Sequence, residues 1–281
     1  MSRSVRLGIS TCPNDTFAFH ALMHGKVDLR GINFQIELLD IQTLNERLFE
    51  SSFDVAKASF HAALLLGDQY VVLPSGSALG FGVGPLLLAA EDSQRPFTRD
   101  QLTLCPGMHT TAALLFEMFY PNTTRVDHTV FSEIMPRLRA KSADFGVCIH
   151  EGRFTWRQEG LALVEDLGTR WEQETHCPLP LGGIIASRSL EPNLIDDVQS
   201  VIQDSIRFAL ANKPETLPTM RKYAQEFNNT ILMQHVDLYV NEWTVDLGAV
   251  GRDALDQLYH RAMIARICSN SKRPLEVFSS I

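Results

Sequence analysis

Apolar and polar positions repeat one phrase along this chain: a short aliphatic run, an abrupt polar or glycine-containing end, then apolar residues at helical spacing. Residues 5–9, 34–39, 54–59, 70–73, 86–90, 101–105, 145–150 and 184–187 read as strands, and 161–167 is a further apolar run. Helical spacing begins at Phe17, Phe19, Ala21 and Leu22 and recurs over 43–50, 60–66, 110–119, 132–141 and 169–175. From Leu190 onward the chain reads as helical, with breaks near Asn212–Pro214 and Asn228–Asn229. Leu255, Leu258, Tyr259, Met263 and Ile267 form an apolar stripe in the last segment, as a core-facing helix requires. Strands alternating with helices predict an α/β fold.

Two stretches interrupt the phrase. Ser75 to Pro85 is glycine-rich, and Pro178 to Gly183 combines two prolines with two glycines. The first does not match a dinucleotide loop: the final glycine is missing, Pro85 stands where a helix should open, and the strand follows the glycines. Both read instead as crossovers between lobes. The expected division is 1–90 plus 182–281 for a discontinuous first lobe and 91–181 for the second.

Composition narrows the class without changing this picture. The chain has 281 residues, 45% apolar and 21% charged, which describes an ordinary globular protein long enough for two lobes. A formal net charge of −8 argues against general nucleic-acid binding, which needs a basic face. No early segment has the layout of a secretion signal and no run approaches a membrane span, so a cytoplasmic location without membrane insertion is expected. The five cysteines are scattered and contain no CxxC pair, so neither a metal site nor a disulfide frame is expected.

Candidate chemistry sits where strands end. In open α/β sheets ligands bind at the carboxyl ends of strands. The run from Phe145 ends on His150 and Glu151, which places an imidazole where it could serve as a base, or else as a hydrogen-bonded structural residue. Asn14 and Asp15 lie between the first strand and its helix, as N-caps or as ligands to a polar group held by helix N–H donors. Lys57 stands among small residues as a snorkelling edge lysine or as a cation facing a carboxylate ligand. Ser59 reads as a cap or a hydroxyl donor. Thr110 and Thr111 open a helix after a glycine loop, as caps or as a carboxylate or phosphate site. Cys12 before a helix start is a rival nucleophile.

The ordered motifs CPNDTF (12–17), KAS (57–59), SGSALGFGVGPLL (75–87), TTAALL (110–115), IHEGRFT (149–155) and LPLGGI (179–184) resemble the 1,4-dihydroxy-6-naphthoate synthase family of the futalosine route to menaquinone. The resemblance runs from the first strand to about Ser187. It implies a two-lobed, type II periplasmic-binding-protein-like fold with a ligand cleft between lobes joined by two crossovers. It further implies a lyase that converts cyclic dehypoxanthine futalosine to 1,4-dihydroxy-6-naphthoate without metal or organic cofactor. The family's base falls on His150. Its contacts with a small carboxylate substrate fall on Lys57, Ala58, Ser59, Thr110 and Thr111, with Asn14 and Asp15 in the first loop. His61 and His109 are not tied to the family pattern and are given no role, and Glu151 is a candidate to orient the imidazole. A plain solute-binding protein and chorismate dehydratase share the fold and are the rival expectations. The oligomeric state is not set by the sequence.

Overall fold

The computed structural model describes residues 3–91, 95–149, 152–224, 228–268 and 273–279. Its strands are β1 (Arg3–Ser10), β2 (Ile32–Leu39), β3 (Val55–Ser59), β4 (Tyr70–Val72), β5 (Ala78–Gly80), β6 (Leu86–Ala89), β7 (Leu102–Cys105), β8 (Arg125–His128), β9 (Phe145–Cys148), β10 (Ala162–Asp166) and β11 (Leu179–Ser187). They form two sheets. The first runs β2-β1-β3-β11-β4, with β5 also paired to β11, and the second runs β10-β6-β9-β7-β8.

Burial follows position in the sheet. The VAKAS residues of β3 are all buried, and β3 is an inner strand, paired with β1 in parallel and β11 antiparallel, whose two faces are both covered. The outer strand β2 instead alternates, with Ile32 buried and Asn33 exposed. The 20-residue helix Pro192–Ala211 lays Val198, Val201, Ile202 and Ile206 in one apolar cluster with Val5, Leu7 and Ile9 of β1. In another cluster, Leu255 and Leu258 of the helix Gly248–Ile264 join Leu79, Leu87 and Trp171. The breaks expected in the helical region are present. One helix ends at Ala211 before Asn212, and Asn228 caps the helix Asn229–Tyr239 through the Thr230 N–H.

The chain moves from the first sheet to the second between Gly80 and Leu86, and returns between Asp166 and Leu179. The expected lobe boundaries lie at 90 and 182. Strand β6 pairs with β9 and β10 in the second sheet, and β11 already pairs with β5 from Leu179. We propose that the lobes divide at these two passages.

Three local readings also change. Residues 13–16, expected as loop, open the helix Pro13–Ala18, with Pro13 in the first turn where its missing N–H costs nothing. Residues 179–183 are strand: the register slips between Pro180 and Gly182, which is how a proline is accommodated in a ladder. Strand β8 is fully exposed and carries no apolar run to announce it.

Candidate active site

A cleft with about 680 Å³ of open space is lined from both parts of the chain. Asn14 and Asp15 reach it from the helix Pro13–Ala18, Lys57 and Ser59 from β3, and Thr110 and Thr111 from the start of the helix Thr111–Phe119. Six residues far apart in sequence thus meet in one place. Ala58 does not line it: strand alternation turns Lys57 and Ser59 one way and Ala58 the other. Its carbonyl instead lies 2.6 Å from where a side chain at Gly182 would begin, so only glycine fits there. Ile149 lines the cleft, whereas His150 and Glu151 lie outside the described residues.

Lys57 is neither a snorkelling edge residue nor an unmatched cation. Its ammonium donates to Asp15 Oδ1 at 2.7 Å and to the Gly76 carbonyl at 3.0 Å, with both charged side chains only 5% exposed. Gly76 itself has φ +93, and a side chain there would run into Ile184, so the turn that offers this carbonyl needs glycine. Asn14 Nδ2 donates to the same Asp15 oxygen at 3.0 Å. Asn14 and Asp15 are therefore not N-caps. Cys12 takes the cap position, without a side-chain cap bond.

Ser59 precedes the helix Phe60–Leu65 and does not cap it with its side chain. Its Oγ accepts from Asn45 Nδ2 at 3.0 Å, and its N–H donates to Asn45 Oδ1 at 2.9 Å. With that lone pair engaged, the Ser59 hydroxyl proton is left to donate. Thr110 caps its helix through Ala113 N–H at 3.2 Å and donates to the Gly107 carbonyl at 2.9 Å. Thr111 Oγ1 donates at 2.6 Å to Leu181 O, a bond from the second-sheet side of the cleft to β11 of the first sheet. Both threonine hydroxyls are thus committed within the protein. What this corner offers a ligand is the N–H groups of Thr111 and Ala112 in the first turn of a nine-residue helix, which have no intrahelical partner and lie at the positive end of its dipole.

The loop that carries Gly84 is pinned to this wall. Arg153 donates to the Gly84 carbonyl at 2.5 Å and pairs with Asp166 at 2.7 Å, while Asp166 caps the helix Leu167–Thr175. The arginine of the IHEGRFT stretch therefore acts as a tether.

Two titratable cleft residues were missed from the sequence, His235 and Tyr239 of the helix Asn229–Tyr239. They stand one helical turn apart, with rings 4.5 Å between centroids, and His235 Nε2 lies 3.0 Å from Asn14 Oδ1. The available signal was this four-residue spacing of a histidine and a tyrosine beside Leu232 and Val236, easily read as core.

His61 and His109 line a neighbouring hollow instead. The His61 ring reaches the Thr110 carbonyl through Nδ1 at 3.3 Å, and burial pulls its pKa from 6.5 down to about 4. None of the five cysteines is in a disulfide, and burial pushes the Cys148 thiol up to about 12. Cys12 is part-exposed at the cleft. Among the described residues no group of His, Cys, Asp or Glu is arranged to hold a metal ion, and no helix is long and apolar enough to cross a membrane.

Two sheets, two passages and a cleft between them define a protein of the periplasmic-binding-protein-like class. The periplasmic aliphatic sulphonate binding protein SsuA from Escherichia coli superposes with a TM-score of 0.65 over 100% of this chain and 96% of that one, at 11% identity. The family model described as menaquinone biosynthesis matches residues 5–263, so the chain belongs to the menaquinone biosynthesis family. It is 38% identical to a 1,4-dihydroxy-6-naphthoate synthase of Thermus thermophilus over 274 residues, covering 98% of this chain and 99% of that one. It is 36% identical to the same-named protein of Streptomyces coelicolor over 264 residues, 92% of this chain and 93% of that one. A crystal structure of an Archaeoglobus fulgidus protein aligns with a TM-score of 0.87 at 30% identity, over 94% of this chain and 98% of that one.

Proposed function

We propose that this chain is a cytoplasmic lyase that converts cyclic dehypoxanthine futalosine to 1,4-dihydroxy-6-naphthoate. The observation that carries the reading is the gathering of the CPNDTF, KAS, TTAALL and LPLGG stretches around one cleft. The relatives' names support 1,4-dihydroxy-6-naphthoate as the product. In this reading the benzoate carboxylate of the substrate sits at the N-terminus of the helix Thr111–Phe119, where backbone N–H groups and the dipole favour an anion. The sugar-derived ring lies against the Ser59 hydroxyl and the Lys57–Asp15 pair. That pair is neutral overall, so it suits hydroxyl and carbonyl groups rather than a second carboxylate.

His150 is assigned as the base, on its place in the IHEGRFT motif, directly after the cleft-lining Ile149. As neutral imidazole it removes a proton beside a carbonyl. A carbon–carbon bond then breaks, and aromatisation of the product drives the reaction. The protein supplies a positioned base and donors for the oxygen that gains charge.

The test is to incubate purified protein with cyclic dehypoxanthine futalosine, without added metal or cofactor, and follow naphthoate by absorbance and mass. Product from the native chain, with at least about 100-fold less from a folded His150→Ala variant, is the expected outcome. Near-native turnover in that variant removes His150 from the mechanism. Tight binding without product would return the chain to the solute-binding reading, and neither binding nor product would make chorismate the next ligand to try.

A further inference from the structure

His235 is 3% exposed, and one bond along the cleft floor gives it a task. Its Nε2 meets Asn14 Oδ1 at 3.0 Å, Asn14 Nδ2 donates to Asp15 Oδ1 at 3.0 Å, and Lys57 Nζ donates to that same oxygen at 2.7 Å. The direction of this chain follows from donor and acceptor rules. A carboxylate only accepts, so the Asn14 amide turns its nitrogen toward Asp15 and its oxygen toward His235. His235 must then carry its proton on Nε2.

We propose that His235 is a positioning residue for the Lys57 ammonium, acting through the orientation of the Asn14 amide and the Asp15 carboxylate. Without the Nε2 donor, the buried Asn14 oxygen loses its partner and the amide is free to rotate. Asp15 then loses one of its two described side-chain donors, and the ammonium it anchors is no longer held in register with the cleft. This inference rests on the lyase reading for its kinetic consequences but not for its geometry. The role needs a hydrogen-bond donor and no proton transfer, so an uncharged amide can replace the imidazole.

Two variants separate donation from acid–base work. His235→Leu should lower kcat by about 10- to 100-fold with a smaller change in KM, the scale expected when a catalytic group is displaced by about an ångström. His235→Gln offers an amide N–H at a similar reach and should recover most of that rate, with both limbs of the kcat/KM pH profile where the native protein has them. Asn14→Ala should resemble His235→Leu, and the double variant should be no worse than either single one. If His235→Gln is as impaired as His235→Leu, or loses a limb of the profile, His235 is an acid or base and the positioning role is overturned. So is it if folded His235→Leu keeps kcat within about threefold.

A second measurement stands apart from the reaction. The Lys57 ammonium, identified by ¹⁵N NMR from its loss in Lys57→Met, should exchange its protons faster in His235→Leu than in the native protein. Unchanged exchange overturns the inference whatever the substrate. A native chain that makes no naphthoate but shows the faster exchange sinks only the lyase reading.

Discussion

Replacing Lys57 by Met removes one half of an ion pair whose two side chains are each only 5% exposed. Pairs this dry differ from surface bridges, whose net worth is about 0–1 kcal/mol. Removing one partner leaves the other charge buried and uncompensated, at a cost of about 3–5 kcal/mol. Asp15 would keep only the Asn14 amide as a described side-chain donor, so Lys57→Met belongs at the upper end of that range. Asp15→Asn leaves Lys57 with the Gly76 carbonyl and a neutral oxygen, and belongs at the lower end. The double variant holds no buried charge, and Met fills the space of the lysine stem. Its loss should be about 2 kcal/mol or less, which makes the coupling strongly non-additive. Guanidinium unfolding followed by circular dichroism measures this cycle, with the midpoint moving and the slope unchanged. Single variants that each cost less than about 1 kcal/mol and simply add would refute the reasoning, because that is how a solvent-screened pair behaves.

Acid should destabilise the fold through His61, whose folded pKa is lowered to about 4 from 6.5. Between those values the unfolded chain binds a proton that the folded one does not, so stability is full above about pH 6.5 and falls toward pH 4, by up to about 3 kcal/mol. Burial lowers His109 and His128 as well, which adds in the same direction; His61→Gln should flatten the slope of stability against pH, and an unchanged slope would assign the effect elsewhere. Gly168→Ala would place a methyl carbon 2.6 Å from the Gly84 Cα, backbone that cannot swing aside. Alanine is favoured over glycine in a helix by about 1 kcal/mol, but overpacking costs about 1–3 kcal/mol, so a lower melting temperature is expected and a higher one would contradict the close approach.

Much of the cleft was legible because the chain marks strand ends by chemistry. Lys57 and Ser59 stand out in an otherwise apolar run, and Thr110-Thr111 follows a glycine loop. What could not be read is which groups satisfy one another. Lys57 looks like a ligand-facing cation until Asp15, 42 positions away, is seen to hold it. The threonine hydroxyls look available until Leu181 O and Ala113 N claim them. Proline and glycine made 179–183 read as a break. In fact β11 needs Gly182 for close passage over Ala58, and such long-range proximity leaves no local mark. His235 and Tyr239 were hidden for the opposite reason: on a buried helix face, a site residue and a core residue follow the same period.

The bond between His235 and Asn14 joins residues 221 positions apart. During synthesis at ~5–20 residues per second, the first helix waits about 10–40 s for the segment that completes its surroundings. Throughout that interval Asn14 and Asp15 are made but not enclosed, and their polar groups remain with water. The cleft is therefore a late product of translation. A ribosome that stalls after Ser187 but before His235 leaves a chain that has both sheets in its sequence and no finished floor beneath its ligand.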